Sequence, residues 1–369
     1  MICNGISVGN FRNISNADVA FEGGVNILHG ENAQGKTSLL EAIYLVSLGR
    51  SFRSAHEADL IRFGEDYARI SLDFADSIRN QNITIFFARD RRRQVEQNKV
   101  KVTKMSDMIG QFRAVMFCPE HLSLVKDGPA ERRAYLDVAI SQLRPVYLKS
   151  LQRYSQILRQ RNQLIKSAYY DRKAFDDTIE FWSSQLAHEA AVISKFRLWY
   201  SNLADEHVKR FFLRMTGERE IPEIKYLGSS RQDEDSYSDV DFTEKKYFEL
   251  LMSSHDREIA QGATLYGIHK DDLDITLNGK SARIYGSQGQ QRSLSITMKL
   301  AEGEICRSDS GEFPVFLLDD VLSELDGRRR AFLQNEMQER QVIMTTCENI
   351  EKSADVNVIT VKNGEFFRK

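Results

Sequence analysis

The sequence predicts an α/β lobe built from both ends of the chain, with a helical lobe inserted between them. The pattern G-x-x-x-x-G-K-[ST] at residues 30–37 follows an apolar strand and precedes a helix-like segment. Residues 314–318 form a continuous apolar strand, which suits the middle of a parallel sheet. No proline interrupts residues 146–221, so this stretch is free to be helical. The predicted bounds are 1–120 and 262–369 for the α/β lobe and 121–261 for the helical lobe.

The composition is that of a globular protein with room for about two domains. Of the 369 residues, 41% are apolar and 28% are charged, and the net charge is −2. No apolar run approaches the roughly 18 residues of a membrane-spanning helix, and the start of the chain does not resemble a signal peptide. The four cysteines are far apart and form no C-x-x-C pair. We therefore expect a cytoplasmic protein without a membrane segment, in which DNA binding would need local basic patches.

The first hundred residues read mainly as strands. Alternation of apolar and polar residues predicts strands at 6–11, 18–22, 68–74 and 82–87, and a short apolar run predicts another at 25–28. Dense apolar spacing at 38–46 predicts a helix buried against a sheet. The arginine-rich turn at 89–93 fits either a solvated loop or a contact with DNA phosphates.

The middle of the chain reads as a helical hairpin. Apolar residues recur at helical spacing over 148–165 and again over 179–203, and residues 167–177 would join the two helices. Each helix would reach only about 40–50 Å at 1.5 Å per residue, which excludes a long arm. The polar, acidic residues 228–241 predict an exposed loop. Residues 273–277 predict a strand that enters a type I′ turn at Asn278-Gly279, and 342–344 predict one more buried strand.

Residues 30–37, called the P-loop here, carry the strongest chemical signal. Its glycines let the backbone wrap around phosphates, and the N–H groups at the helix start point towards them. Lys36 would neutralise phosphate charge, and the Thr37 hydroxyl would bind Mg²⁺. The strand on one side and the helix on the other argue against a coincidental glycine turn.

Asp319 and Asp320, called the acidic pair, follow the apolar strand near the end of the chain. Carboxylates at this edge of a sheet hold Mg²⁺ in P-loop proteins. Asp319 would bind the ion directly or through water, and Asp320 would orient or deprotonate the attacking water. Taken alone, the pair could equally cap a helix.

Residues 287–292 (SQGQQR), called the signature segment, precede an apolar helix and lie 32 residues before Asp319. On pattern alone, a loop with a helix cap is the simpler interpretation. In ABC-type ATPases the signature sequence lies at this position and caps a γ-phosphate held by a second subunit. Residues 323–326 (SELD) follow at the position of the D-loop of that superfamily, and would cross the dimer interface.

Together these motifs resemble the RecF family, within the SMC/Rad50 branch of ABC-type ATPases. The resemblance extends over residues 10–326 and rests on stretches that occur in the family's order. These are NFRN at 10–13, GENAQGKT at 30–37, GRSFR at 49–53, FCPEHL at 117–122, GPAERRAYLD at 128–137, GIHKDDL at 267–273, SQGQQR at 287–292 and FLLDDVLSELD at 316–326.

The resemblance implies an ATP-dependent DNA-binding protein of replication and recombinational gap repair. RecF-like proteins bind ATP with Mg²⁺ and form a head-to-tail homodimer around two nucleotides. They bind duplex, gapped or junction DNA, and with RecR and RecO they help to load RecA. ATP hydrolysis, expected to be weak and stimulated by DNA, would reset the clamp, and no membrane partner is implied.

Site residues follow from the matching positions. The catalytic candidates are Asp320, Lys36 and Thr346, and the metal candidates are Thr37 and Asp319. The nucleotide-binding candidates are Arg12, Gly30, Glu31, Asn32, Ala33, Gln34, Gly35, Lys36, Thr37, Ser38, Ser287, Gly289 and Gln290. The candidates for contacts with DNA are Arg50, Arg53, Arg91, Arg92, Arg93, Lys99 and Lys101.

The chain departs from the family and superfamily patterns at two places. Ile268 and Lys270 replace the usual Pro and Arg of the GPHRDDL segment, and Lys lacks the planar fork of Arg. Thr345-Thr346 stands where transporter ATPases carry a switch histidine, which would fit slow hydrolysis. Three alternative functions are a chromosome-organising SMC-like ATPase, a transporter ATPase subunit and a metabolic P-loop kinase. A short insert argues against the first, the missing histidine against the second, and the signature segment against the third.

Overall fold

The computed structural model describes residues 1–53, 56–217, 219–348 and 356–368. The chain forms two compact units. The first comprises Met1–Ser123 and Ser295–Lys369, and the second comprises Leu124–Leu294.

The strands and helices are numbered in chain order. The strands are β1 (Ile2–Phe11), β2 (Ile14–Ala20), β3 (Val25–His29), β4 (Tyr67–Ala75), β5 (Asn80–Ala88), β6 (Gln94–Gln97), β7 (Val100–Val102), β8 (Ala114–Phe117), β9 (Pro222–Leu227), β10 (Asp272–Leu277), β11 (Lys280–Ser281), β12 (Val315–Asp319), β13 (Val342–Thr346), β14 (Val356–Lys362) and β15 (Glu365–Arg368). The helices are α1 (Lys36–Leu48), α2 (Pro129–Leu143), α3 (Pro145–Ser167), α4 (Arg172–Thr216), α5 (Val240–Ser253), α6 (His255–Gln261), α7 (Ala282–Tyr285), α8 (Gln288–Ser310) and α9 (Gly327–Glu336).

The first unit contains two sheets. An antiparallel sheet has the order β2-β1-β4-β5-β6-β7, and alternate side chains of its central strands are buried, as the sequence pattern predicts. The second sheet has the order β15-β14-β3-β13-β12-β8, and all its pairs except β14–β15 are parallel. The carboxyl ends of β3, β12 and β13 therefore lie at one edge, where the P-loop and the acidic pair begin.

Helix α1 is buried on nearly every side. All of its residues except Thr37 lie in the interior, including Lys36 and Glu41. Its dense apolar run, without the polar face of a surface helix, explains this position. Gly49 ends the helix in the left-handed region at φ 68°, and its N–H donates to the Leu45 carbonyl at 2.8 Å.

In the second unit, α3 and α4 form the predicted helical hairpin, but α4 is longer than expected. It has 45 residues and is therefore about 67 Å long, so the expected limit of 40–50 Å per helix was wrong. The apolar stripe continues past residue 203 through Val208, Phe211, Phe212 and Met215, all of which are buried. Among the described residues, no helix is both long enough and apolar enough to span a membrane.

A small antiparallel sheet of order β11-β10-β9 completes the second unit. Asn278 and Gly279 have φ of 51° and 73°, as the predicted type I′ turn requires. The segment 228–241 was predicted to be an exposed loop, and this was wrong in part. It contains a 3₁₀ helix, Glu234–Ser238, whose Tyr237 is buried against Tyr226 of β9.

Two of the family-like stretches, GPAERRAYLD and GIHKDDL, meet in the second unit. The Arg132 guanidinium donates to both carboxylate oxygens of Asp272, at 2.6 and 2.9 Å. Arg197 of α4 donates to Asp271 at 3.0 Å and to Asp137 at 2.9 Å. We call these five residues the buried charge cluster.

Candidate nucleotide-binding site

The P-loop connects β3 to α1 through a tight turn. Gly35, just before α1, has φ 110°, a conformation that glycine adopts without strain. Gly30 approaches the backbone of β14 so closely that a Cβ there would clash with the Val361 carbonyl oxygen. These two glycines of the motif are therefore required by the geometry of the loop itself.

Lys36 is folded back over the P-loop. Its ammonium group donates to the Gly30 carbonyl, to the Glu31 carbonyl at 2.8 Å and to Cys347 Sγ at 3.0 Å. The side chain is buried, so its charge is held by neutral acceptors of the loop instead of by a carboxylate. Such a cation is available to a phosphate group, because phosphate oxygens are stronger acceptors than carbonyls.

One carboxylate joins the P-loop to the acidic pair. Oδ1 of Asp319 accepts hydrogen bonds from the Thr37 hydroxyl at 2.8 Å and from the Thr345 hydroxyl at 2.9 Å. Burial raises the pKa of the Asp319 carboxyl, and the two hydroxyl donors oppose that shift. Thr345 lies beside Asp319 because the two residues pair in register on the parallel strands β13 and β12.

Asp320 begins the turn after β12. It has φ 50°, in the left-handed region that is uncommon for residues other than glycine, and its N–H donates to the Thr345 hydroxyl at 2.9 Å. The Thr345 side chain thus holds both members of the acidic pair, one through the carboxylate and the other through the backbone.

The donor set suits Mg²⁺. A threonine hydroxyl and a carboxylate oxygen are hard oxygen ligands, and Thr37 and Asp319 are already in contact. Mg²⁺ commonly takes one or two carboxylates and completes its shell with phosphate and water. The described residues contain no cluster of three or more His, Cys, Asp or Glu residues arranged to hold a metal ion, so the nucleotide would supply the remaining ligands.

Arg12 and Asn13 lie beside the P-loop. Arg12 donates to both oxygens of the buried Glu41, at 3.0 and 2.6 Å, and to the Asp59 carbonyl at 2.8 Å. Asn13 donates to the Ala33 carbonyl at 3.0 Å and accepts from the Ser38 hydroxyl at 2.8 Å. The turn at residues 10–13 is thus fixed both to the P-loop and to the segment around residue 59.

These groups line a cavity of about 1050 Å³. Most of the predicted P-loop residues contribute to its wall, together with Arg12, Asp319 and Asp320. Gly30 and Glu31 contribute differently, because their carbonyl oxygens accept hydrogen bonds from the Lys36 ammonium group. The wall also contains residues outside the predicted site: Asn13, Phe52, Ala58, Asp59, Ile61, Phe63, Arg89, Pro119, Glu120, Thr345 and Cys347.

Thr346, a predicted catalytic residue, is not part of this wall. It lines a separate cavity of about 320 Å³ with Leu318 and Met344, next to α9. Neighbouring side chains of a strand point to opposite faces, so Thr345 and Thr346 cannot face the same site. Sequence reasoning had no means of choosing between the two, because the choice depends on the register of β13 against β12.

Ser287, Gly289 and Gln290 belong to the second unit and do not line the cavity either. The Gln290 N–H donates to the Ser287 hydroxyl at 3.2 Å, and the Ser287 N–H donates to Gln290 Oε1 at 2.7 Å. This reciprocal pair is a capping box at the start of α8. The simpler interpretation of the signature segment, a helix cap, therefore describes its structure within one chain.

The basic candidates for DNA contact are spread over the first unit. Arg53 lines the cavity and lies 3.6 Å from Glu41, and Arg93 pairs with Glu57 at 3.2 Å. The remaining five, Arg50, Arg91, Arg92, Lys99 and Lys101, are exposed.

Comparisons with known proteins agree with this geometry. The family described as RecF/RecN/SMC N terminal domain matches residues 2–365. A DNA replication and repair protein RecF from Ruminiclostridium cellulolyticum is 37% identical over 372 residues, which cover 100% of this chain and 97% of that protein. The chain belongs to the RecF family. A RecF from Bacillus mycoides is also 37% identical, with 97% and 96% of the two chains covered.

Solved structures support the same assignment. The recombination mediator protein RecF with ATP, described as part of the RecFOR pathway, superposes with a TM-score of 0.92 and 31% identity, covering 100% of this chain and 97% of that one. An Smc head domain from Pyrococcus furiosus superposes with a TM-score of 0.56 and 14% identity, which shows a shared fold alone. The resemblance to RecF and the predicted ABC-type α/β fold with a helical insertion are confirmed.

Proposed function

We propose that this RecF-family chain is an ATP-driven, DNA-binding dimeric clamp of recombinational gap repair and replication. It binds DNA at single-strand/double-strand junctions, works with RecR and RecO, and helps to load RecA there. It acts in the cytoplasm as a weak, DNA-stimulated ATPase. The family membership and the ATP-bound RecF structure of the same fold support the assignment.

The observation that carries the proposal is the contact of Thr37 with Asp319. This hydrogen bond of 2.8 Å joins the phosphate-binding loop to the acidic pair across 282 residues of chain. In the ATP-bound state, Lys36 exchanges its carbonyl acceptors for phosphate oxygens. Thr37 and Asp319 hold Mg²⁺, which neutralises phosphate charge. Asp320 orients or deprotonates the attacking water.

We propose a division of labour between two lobes, with the ATP-binding lobe at the chain ends (1–120 and 262–369) and the helical lobe at 121–261. The three-stranded sheet of β9, β10 and β11 and the start of α8 form part of the second compact unit, so the signature segment is supported by that unit. Ser287, Gly289 and Gln290 act on the nucleotide held by another copy of the chain, as the signature sequence does in ABC-type ATPases. Residues 323–326 cross the same interface.

Gel filtration tests the clamp. We expect the protein to elute as a dimer with ATP and Mg²⁺, and as a monomer with ADP or without nucleotide. A short gapped duplex should favour the dimer. Elution that is the same in all three nucleotide states would contradict the proposal.

Mixing two variants tests the action of the signature segment in trans. Ser287→Arg and Lys36→Ala should each be inactive alone. Their heterodimer has one site with both defects and one intact site, so some ATPase activity should recover, up to about half if the sites fire independently and the chains pair freely. The matched control mixes wild-type chains with the double variant: each heterodimer site then carries one defect and should be inactive. An active control heterodimer would mean that the signature works in cis.

DNA binding should depend steeply on salt. Each duplex phosphate that a lysine or arginine neutralises adds about −0.9 to the slope of log affinity against log salt concentration. Binding should also tighten with ATP, since dimer closure brings two sets of basic loops onto one duplex. Equal DNA affinity with ATP and without nucleotide would contradict the clamp.

A further inference from the structure

Phe63 is a large apolar side chain in the wall of the P-loop cavity that has almost no packing partners. It is 99% exposed. The other phenylalanine of the wall, Phe52, packs edge-on against Tyr44 with a ring-centroid distance of 5.6 Å. An aromatic ring left open to a concave polar site is a group that a flat ligand can cover.

A series of contacts along the wall links the acidic pair to the segment that carries Phe63. Asp319 contacts Thr37 of the P-loop, and the next residue, Ser38, contacts Asn13. Arg12 then contacts the Asp59 carbonyl. The P-loop and the turn at 10–13 therefore connect the acidic pair to the segment that carries Phe63.

Backbone hydrogen bonds fix the segment before Phe63, although the Phe63 side chain itself is exposed. The Arg12 N–H donates to the Leu60 carbonyl at 2.9 Å, and the Arg62 N–H donates to the Asn10 carbonyl at 2.8 Å. Ile61, buried between them, forms a β-bridge with Phe11. Phe63 is thus presented to solvent by backbone that is fixed on the side preceding it.

We propose that Phe63 forms the base subsite of the P-loop cavity, where its ring stacks on the adenine of bound ATP. The inference rests on the proposed ATP binding and extends it to the base. A nucleoside triphosphate has a charged end, which the P-loop and the acidic pair match, and a flat aromatic end. Phe63 is an open aromatic face in the wall of the same cavity.

Binding of two probes to Phe63→Ala tests this. The first is ATP with Mg²⁺, and the second is inorganic tripolyphosphate with Mg²⁺, which lacks a base. By calorimetry in a Ser287→Arg background, which should bind ATP without dimerising, we expect Phe63→Ala to lose about tenfold in affinity for ATP, the order typical of one stacked base, and nothing for tripolyphosphate. Phe63→Tyr should restore ATP affinity to within about twofold, because it keeps an aromatic face.

Phe181→Ala is the matched control, since Phe181 is a 60% exposed phenylalanine of the second unit and its loss should change neither affinity. Unchanged ATP affinity in Phe63→Ala, or an equal loss for both probes, would overturn the base subsite. Normal ATP affinity of the monomer combined with weakened ATP-dependent dimerisation would also overturn it, and would assign Phe63 to the subunit contact. If wild-type protein bound neither probe, the proposed function itself would fail.

Discussion

The P-loop cavity of the first unit and the buried charge cluster of the second differ in the partners of their charged side chains. In the cavity, Lys36 contacts neutral acceptors, and Asp319 contacts two hydroxyls. In the cluster, Arg197 pairs with two carboxylates, and Asp271 also accepts from the Ser229 N–H at 2.8 Å and from the Tyr226 hydroxyl. Lys36 and Asp319 are therefore ready to bind ions from outside, whereas the arginines and aspartates of the cluster pair with one another.

The difference indicates which family-like stretches do chemistry and which hold the fold. Residues 30–37 and 316–326 contribute to the cavity, whereas residues 128–137 and 267–273 contribute to the cluster. Lys270, which stands where the family has Arg, is exposed, and its neighbour Asp271 makes the buried contacts. Replacement of Arg by Lys at this position therefore leaves the cluster intact.

Arg197→Met should produce the largest loss of stability. It removes the cation between Asp137 and Asp271, and a buried charge left without its partner costs about 3–5 kcal/mol. Urea unfolding followed by circular dichroism measures the change. Arg153→Met is the control, because Arg153 is 68% exposed and lies 3.5 Å from Glu189, so its loss should cost at most about 0.5 kcal/mol. Equal losses for the two variants would contradict a structural cluster.

Lys36→Ala should affect ligand binding and spare folding. Removal of the ammonium group should weaken ATP binding by about 3 kcal/mol, or on the order of 100-fold, because several phosphate charges lose their cation. The free energy of unfolding without nucleotide should change far less than in Arg197→Met, since Lys36 holds no carboxylate. Calorimetry with ATP checks the first expectation, and urea unfolding checks the second. A large stability loss with unchanged ATP affinity would reverse the roles of the two regions.

Thr345→Val should slow hydrolysis without preventing ATP binding. The isosteric change leaves the partly buried Asp320 N–H without its acceptor and removes one donor from Asp319, at a cost of about 1 kcal/mol. We expect the rate of hydrolysis to fall about tenfold and the Mg²⁺ requirement to rise, with Thr345→Ser restoring both. Thr346→Val is the matched control and should hydrolyse ATP at the wild-type rate. Slower hydrolysis by Thr346→Val, together with a normal rate for Thr345→Val, would support the predicted catalytic role of Thr346.

Acid should weaken both units, and a buried histidine contributes to this in each. Burial lowers the pKa of His121 in the first unit to about 3 and that of His269 in the second to about 4. Both values lie below the unfolded value of about 6.5, so the stability is fully present above pH 6.5 and is lost as the pH falls towards 4. Each should cost about 1 kcal/mol between pH 7 and 5.5. His121→Gln and His269→Gln should each flatten the pH dependence of urea unfolding, and an unchanged slope would contradict the assignment.

The features that the sequence determined by itself are those set by local chemistry. The P-loop needs glycine where φ is 110° at Gly35, and its lysine and threonine follow at fixed spacing. The turn at Asn278-Gly279 is similarly local, because both residues tolerate positive φ. The buried helix after the P-loop and the helical hairpin follow from apolar spacing alone.

Other features were decided only by tertiary structure, because they depend on which distant segments meet. The register of β13 against β12 directs Thr345, and not Thr346, towards Asp319. Arg132 and Asp272 are separated by 140 residues, and only the packed second unit brings these two polar stretches together as an ion pair in which Arg132 is buried. Charge in a sequence has no fixed role, since burial and partners decide whether it binds a ligand or stabilises the fold.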